Sequence, residues 1–212
     1  MAGDGVLGLI LAGGGAVRLG GVDKTLLTID GRSMLSHVID RLTPQVGRIS
    51  LSANGDPQRF SNFGLPVIAD DGPAGQAGPL AGLLAGMQWA ERWTTCRSMA
   101  SVAGDTPFLP ADLVARLREA AGDDQRIAVA SSAKRQHPVF ALWPIALRAD
   151  LAGFLATSRT FSVAAFLDRH EVVTVEFPFD SSGDGAPFDP FFNVNTREDL
   201  AQAEEIASRL PT

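Results

Sequence analysis

Short apolar runs alternate along this chain with longer stretches whose apolar residues recur at helical spacing. The first run, Val6-Leu7-Gly8-Leu9-Ile10-Leu11, contains no polar residue, the pattern of a strand buried on both faces. Comparable runs predict strands at Arg48 to Ala53, Pro66 to Ile68, Ser98 to Ala103, Ile127 to Ser131, Val139 to Trp143 and Val172 to Phe177. Between them, Ser33 to Leu42 sets Met34, Leu35, Val38, Ile39 and Leu42 on one helical face. Leu80 to Trp93, Ala111 to Ala121, Ala146 to Ala156 and Ser162 to Arg169 carry the same period. Thr196 to Leu210 predicts a closing amphipathic helix, with Thr196 as N-cap and Asp199 in its first turn. This alternation implies three α/β/α layers around a mainly parallel, Rossmann-like sheet. No repeat, heptad run or low-complexity linker divides the sequence, so residues 1–212 are read as a single domain.

Composition narrows the function classes. With 45% hydrophobic and 20% charged residues, the chain has enough apolar material for one well-buried core. The net charge of −6 and the scatter of lysines and arginines provide no basic stripe, so nucleic acid is not an expected partner. A lone Cys96 leaves no internal disulfide and no cysteine-based metal cluster, which suits the cytoplasm. The opening MAGDGVLGLILAGGG lacks a basic leader, and its apolar run is far short of the roughly 20 residues of a spanning helix, so no membrane association is expected.

The chemistry concentrates in LAGGGAVRLGGVDKT, directly after the first strand. A glycine-rich turn between strand and helix lets backbone N–H groups approach phosphate closely. The dinucleotide pattern fails here, because Arg18 occupies the third glycine position and no acidic residue closes a strand about 20 residues later. A Walker A loop fails as well, because Lys24-Thr25 comes three residues after the position next to Gly20. What remains is a glycine loop with two cations, Arg18 and Lys24, suited to a nucleoside triphosphate attacked at its α-phosphate. A departing diphosphate needs those cations and a metal, since N–H groups at a helix end contribute only about 0.3 to 1 kcal/mol each. The strand Ser98 to Ala103 supplies the matching carboxylate, Asp105, at its carboxyl edge.

Four motifs in order, L-A-G-G-x-x-x-R-x-G-G-x-D-K at Leu11 to Lys24, G-P-L-A-G at Gly78 to Gly82, G-D-T-P-F-L-P at Gly104 to Pro110 and F-N-V-N-T-x-E-D-L at Phe192 to Leu200, span nearly the whole chain. Together they resemble the molybdenum cofactor guanylyltransferases, the MobA family. The resemblance implies transfer of GMP from GTP to the terminal phosphate of molybdopterin, with Mg2+ and with release of diphosphate. It implies that Leu11, Ala12, Gly13 and Gly14 lie against the nucleotide and that Arg18 and Lys24 hold its phosphates. It further places Asp105 on the metal, Asp70 on the nucleotide and Gly82 where close approach is needed. The strand end carries Ser52 where the family often has asparagine, so Asn54 is the residue taken for nucleotide contact there. His137, Asn193 and Asn195 match the pterin side. Cofactor-synthesis proteins and apo-molybdoenzymes are the further partners implied.

Plainer readings stand beside these. Asp105 also suits a turn cap before Pro107, Asp70 and Asp71 a simple loop start, and Asn193 and Asn195 a strand-to-helix turn. His137 also suits a polar strand edge. His37 and His170 lack partners at metal-ligand spacing, and Trp89 and Trp93 sit at helical spacing as packing residues. The polar stretch 180–190 resembles the start of a calcium loop at Asp180, Ser182, Asp184 and Gly185, but its twelfth position is Phe191 and no helix precedes it. Its length and polarity predict a flap over the site. Alternative activities are the cytidylyltransferase for the same pterin, a sugar-phosphate nucleotidyltransferase, and a carrier that binds cofactor without turnover.

Overall fold

The computed structural model describes residues 5–13, 23–69, 78–93, 95–122, 125–182 and 185–210. Its strands are β1 Val6–Leu11, β2 Thr28–Ile29, β3 Arg32–Ser33, β4 Arg48–Ser52, β5 Val67–Ile68, β6 Ser98–Ala103, β7 Ile127–Ser132, β8 Arg135–Pro144 and β9 Val172–Glu176. Its α-helices are α1 Met34–Leu42, α2 Pro79–Ala90, α3 Leu113–Ala121, α4 Arg148–Thr157, α5 Val163–Leu167 and α6 Arg197–Ala207. Gly14, Arg18, Asp70, Asp71 and Asp184, each singled out in the sequence, lie outside the described residues.

Among the described residues, seven strands form one sheet in the order β5-β4-β1-β6-β8-β7-β9. The pairs β1–β4, β1–β6, β4–β5 and β7–β9 are parallel, while β8 runs antiparallel to both β6 and β7. The chain builds outward from β1 through β4 to β5, then returns to β6 on the other side of β1. That reversal opens a crevice at the carboxyl ends of β1 and β6, where open α/β sheets bind ligands.

Alternation along the strands explains the layers. On β1, Val6 and Ile10 join one apolar cluster, and Leu7 and Leu9 join another. The first face is covered by α1 and α3 through Leu35, Val38, Leu113 and Leu117. The second face is covered by α2, α4 and α5 through Leu83, Met87, Leu151, Phe154 and Phe166. A third cluster docks α6 beside the sheet, where Ala203 and Ile206 meet Ile29, Met34, Phe108 and Val194.

Two tight turns depart from the sequence expectations. Asp30 and Gly31, at φ 50° and 70°, close the hairpin of β2 and β3, which was not expected although Asp-Gly is a favoured pair for such a turn. Ala133 and Lys134, at φ 46° and 64°, join β7 directly to β8. The second strand therefore begins at Arg135, four residues before the predicted Val139. Its pairing with β7 slips between Val129 and Ala130, next to Pro138, which has no N–H to give to the ladder. That slip divides the apolar pattern and hides the first half of the strand.

Candidate functional site

The end of β1 turns into the glycine loop beneath two neighbours. Ala12 donates its N–H to the carbonyl of Ser52 at 2.9 Å, and Gly104 donates to the carbonyl of Leu11 at 3.0 Å. These bonds hold Leu11, Ala12 and Gly13 between the ends of β4 and β6. The chain re-enters the described residues at Asp23, whose Oδ1 accepts from the N–H of Thr25 at 3.1 Å and from its hydroxyl at 2.8 Å. Asp23 thus caps the short 3-10 turn Lys24–Leu26 and aims the lysine. Arg59 secures the cap, donating from Nε to Asp23 at 3.0 Å and from Nη2 to the carbonyl of Asn54 at 2.6 Å.

Lys24 is the centre of the site. Its ammonium reaches Asp105 Oδ2 at 2.8 Å, Asn195 Oδ1 at 2.8 Å and the carbonyl of Val194 at 3.4 Å. The side chains of the pair are only 14% and 17% exposed, so water screens them weakly. Asp105 in turn accepts the N–H of Val194 through its own backbone carbonyl at 3.1 Å, which ties the Asn193-Val194-Asn195 segment to the end of β6. Loop, strand end and C-terminal segment therefore converge on one charge. Asp105 does not serve as a plain turn cap. Its Oδ1 has no partner among the described residues, and these residues include no cluster of three or more His, Cys, Asp or Glu able to cage a metal.

A cleft of about 180 Å³ opens over this cluster, bordered by Leu11, Ala12, Gly13, Lys24, Gly82, Asp105 and Asn193. Asp23, Thr25, Ser52, Gly78 and Pro79 border it too; the sequence reading sets Ser52 aside in favour of Asn54 and gives the other four no role of their own. Asp23 had a signal, since an aspartate just before Lys24-Thr25 has N-cap composition. Gly78, at φ 54°, begins α2 with Pro79 at its first position, so the positive end of the helix faces the cleft. Gly82 lies where a Cβ would come within 2.5 Å of Ser52 Oγ and 2.7 Å of Leu11 Cδ2. The close approach expected there is thus between α2 and the strand ends. Asn54 is not on the cleft wall: it lies exposed beyond the end of β4, while buried Ser52 faces α2. The asparagine expected for nucleotide contact is therefore replaced at the wall by the serine, because the strand ends before Asn54.

A second cavity, of about 430 Å³, adjoins the first through Ala103, Val139 and Asn193. His137, Phe191, Phe192, Asn193 and Asn195 line it, which brings the three residues expected on the pterin side to one place. His137 stacks on Phe191 with ring centroids 4.5 Å apart. Burial holds its pKa below the ordinary histidine value, against the opposing pull of Asp189. The capping box of α6 fixes the asparagine segment: Thr196 Oγ1 accepts from Asp199 N at 3.0 Å, and Asp199 Oδ2 accepts from Asn195 N at 2.9 Å and Thr196 N at 2.8 Å. Those backbone bonds, that of Asn195 first, lower the Asp199 pKa.

Other side chains have structural tasks. His37 bonds the carbonyl of Ile29 at 2.9 Å, and Trp89 packs on Trp93 at 4.2 Å. The polar stretch after β9 is pinned by a bridge between Asp180 and Phe188. Asp180 to Ser182 border a separate groove with Arg41 and Arg116, and among the described residues of the stretch Asp189 lines the second cavity. The expected flap is therefore turned elsewhere over its described first half. No helix among the described residues is long and apolar enough to cross a membrane.

Comparison with known proteins agrees with this geometry. Residues 8–173 match the family model of the MobA-like NTP transferase domain. A molybdenum cofactor guanylyltransferase from Mesorhizobium japonicum is 52% identical over 202 residues, covering 95% of each chain. One from a Bradyrhizobium species is 50% identical over 205 residues, covering 96% of this chain and 93% of the relative. The crystal structure of molybdopterin-guanine dinucleotide biosynthesis protein A from Archaeoglobus fulgidus superposes with a TM-score of 0.70 at 23% identity, covering 95% of this chain and 98% of that one.

Proposed function

The chain belongs to the MobA-like NTP transferase family, and from that premise we propose that it transfers GMP from GTP to the terminal phosphate of molybdopterin, releasing diphosphate. The observation that carries this reading is the convergence of Lys24, Asp105 and Asn195 at the sheet's reversal point, beside a second cavity walled by aromatic rings. One cleft suits a triphosphate and the other a flat heterocycle, with Asn193 bordering both.

In the reaction, an oxygen of the pterin's terminal phosphate attacks the α-phosphorus of GTP. A new P–O–P bond forms, the bond between α-phosphorus and the bridging oxygen breaks, and diphosphate leaves with that electron pair. No covalent enzyme intermediate is required. Lys24 stabilises charge on the leaving group, and Arg18 is given the same task on sequence grounds. The backbone of Leu11, Ala12 and Gly13 and the amino end of α2 orient the nucleotide. Asp105 fits Mg2+, which favours one or two carboxylates plus substrate phosphates over a protein-only cage. When bound, Mg2+ would neutralise the triphosphate. Lys24 and Asp105 hold each other meanwhile, so neither charge is left uncompensated in a half-buried cleft. A cytoplasmic location fits a reaction that consumes GTP.

A diphosphate-release assay with molybdopterin and Mg2+, run in parallel with GTP, CTP and ATP, tests the proposal. Release with GTP alone is expected. Use of CTP alone refutes the guanylyl assignment, and binding of nucleotide without turnover refutes an enzymatic role in favour of a carrier.

A further inference from the structure

The second cavity holds a hydrogen-bond chain that begins at a carboxylate and ends on its histidine. Ser132, buried at 1% exposure, donates its hydroxyl to Asp189 Oδ2 at 2.9 Å, and Ser132 Oγ also lies 2.7 Å from His137 Nε2. An ionised carboxylate can only accept, and a serine has a single proton to give. The proton of Ser132 is therefore committed to Asp189, and its lone pair must receive N–H from His137. The imidazole is left protonated on Nε2, and Nδ1, which has no partner among the described residues, is left as an acceptor.

The surroundings hold this arrangement in place. Ser132 ends β7 at the turn whose Ala133 and Lys134 adopt positive φ without being glycine. Glu176 secures that turn from β9, accepting from Ser131 Oγ at 2.5 Å and from Lys134 N at 3.2 Å. Asp189 is fixed by its other oxygen, which accepts the N–H of Phe191 at 2.9 Å, and Phe191 is the ring stacked on His137. The charged groups felt by the imidazole are Asp189, Arg135 and Glu176, and desolvation outweighs the two carboxylates, favouring the neutral ring.

We infer that Asp189, acting through Ser132, locks His137 as the Nε2–H tautomer so that Nδ1 selects a flat heterocycle carrying an N–H donor in the second cavity. Asp189 and Ser132 are positioning residues, and His137 is the residue that reads the ligand. The identity of that heterocycle as a pterin, with amino and lactam N–H donors, rests on the proposed function; the tautomer does not.

The tautomer can be read in the full-length protein by long-range 1H–15N correlation spectra of the imidazoles, since the chain has only 3 histidines. His137 is expected as a single neutral Nε2–H form. In Ser132→Ala and Asp189→Asn its signals are expected to relax to the mixture of an unconstrained imidazole. Both variants should raise KM for molybdopterin by about tenfold, the scale of one hydrogen bond lost with its partner left unsatisfied, while KM for GTP stays unchanged. His137→Asn, which keeps an acceptor near the Nδ1 position, should retain more pterin affinity than His137→Ala. An imidazole spectrum unmoved in both variants overturns the relay. A changed spectrum with an unchanged pterin KM overturns the selecting role. If the unaltered protein releases no diphosphate with any nucleotide, the proposed function fails, and the spectra still decide the tautomer.

Discussion

Lys24 holds three oxygens from two distant parts of the chain, so the effect of removing it depends on what each partner then lacks. Lys24→Ala takes away the cation proposed for the leaving diphosphate and leaves Asp105 without its counter-charge. Asp105→Ala removes the carboxylate proposed for Mg2+ and leaves the ammonium facing only neutral oxygens. Each variant is expected to lose about 100-fold or more in turnover, as when a preorganised charge-stabilising group is deleted. Steady-state diphosphate release checks this, with circular dichroism confirming an intact fold; near-normal rates in either variant overturn that residue's role. Both residues were legible in the sequence, because a lysine after a glycine loop and an aspartate at a strand's carboxyl edge are local patterns. Their mutual contact was not, since it joins positions 81 apart and depends on the order of strands in the sheet. The Asp189–Ser132–His137 chain was hidden for the same reason.

At the scale of elements, most strands and helices could be read from apolar period alone, whereas the departures came from backbone chemistry. The turn at Ala133 and Lys134 carries no glycine or asparagine to announce positive φ, and the side chain that steadies it, Glu176, arrives from another strand. Helix α2 makes a testable case of close packing. In Gly82→Ala the new Cβ would crowd Ser52 and Leu11, both on the cleft wall. Overpacking costs about 1 to 3 kcal/mol, against about 1 kcal/mol gained from better helix propensity. A net loss of about 1 kcal/mol in urea unfolding is expected, together with a raised KM for GTP; unchanged values of both would show that α2 moves to absorb the methyl group. The capping box of α6 makes a pH prediction. The folded-state pKa of Asp199 is depressed, so its contribution is present above the unfolded carboxylate value of about 3.9 and lost as pH falls through the lower folded value. Asp199→Asn should therefore lower stability at neutral pH and converge with the unaltered protein in acid. Denaturant midpoints measured from pH 7 to pH 2 check the sign, and a gap that persists in acid refutes it.

Across the whole molecule, the two ends of the sequence meet at the same ammonium: the loop after β1 supplies Lys24, and the segment before α6 supplies Asn195. The match to the family model covers Asp105 and stops at residue 173, so two further partners of Lys24, Val194 and Asn195, come from a stretch beyond it. Among the described residues three apolar clusters divide the work, and of these the third, through Val194, Ile206 and Met34, seats α6 against the site. Stability and catalysis should therefore separate by cluster. Ile206→Ala removes a side chain that is 6% exposed from the third cluster, and Leu151→Ala removes one that is fully buried from the second. Each deletion is expected to cost about 2 to 5 kcal/mol, measured by urea unfolding. Their effects on turnover, assayed well below either unfolding midpoint, should differ. Loosening α6 releases the Asn195 segment from Lys24 and is expected to lower kcat in the same direction as Asn195→Ala. Loosening α4 leaves that contact in place and is expected to leave kcat unchanged. Equal losses of turnover in the two variants would mean that the site follows global stability, and that the docking of α6 has no separate hold on the charge cluster.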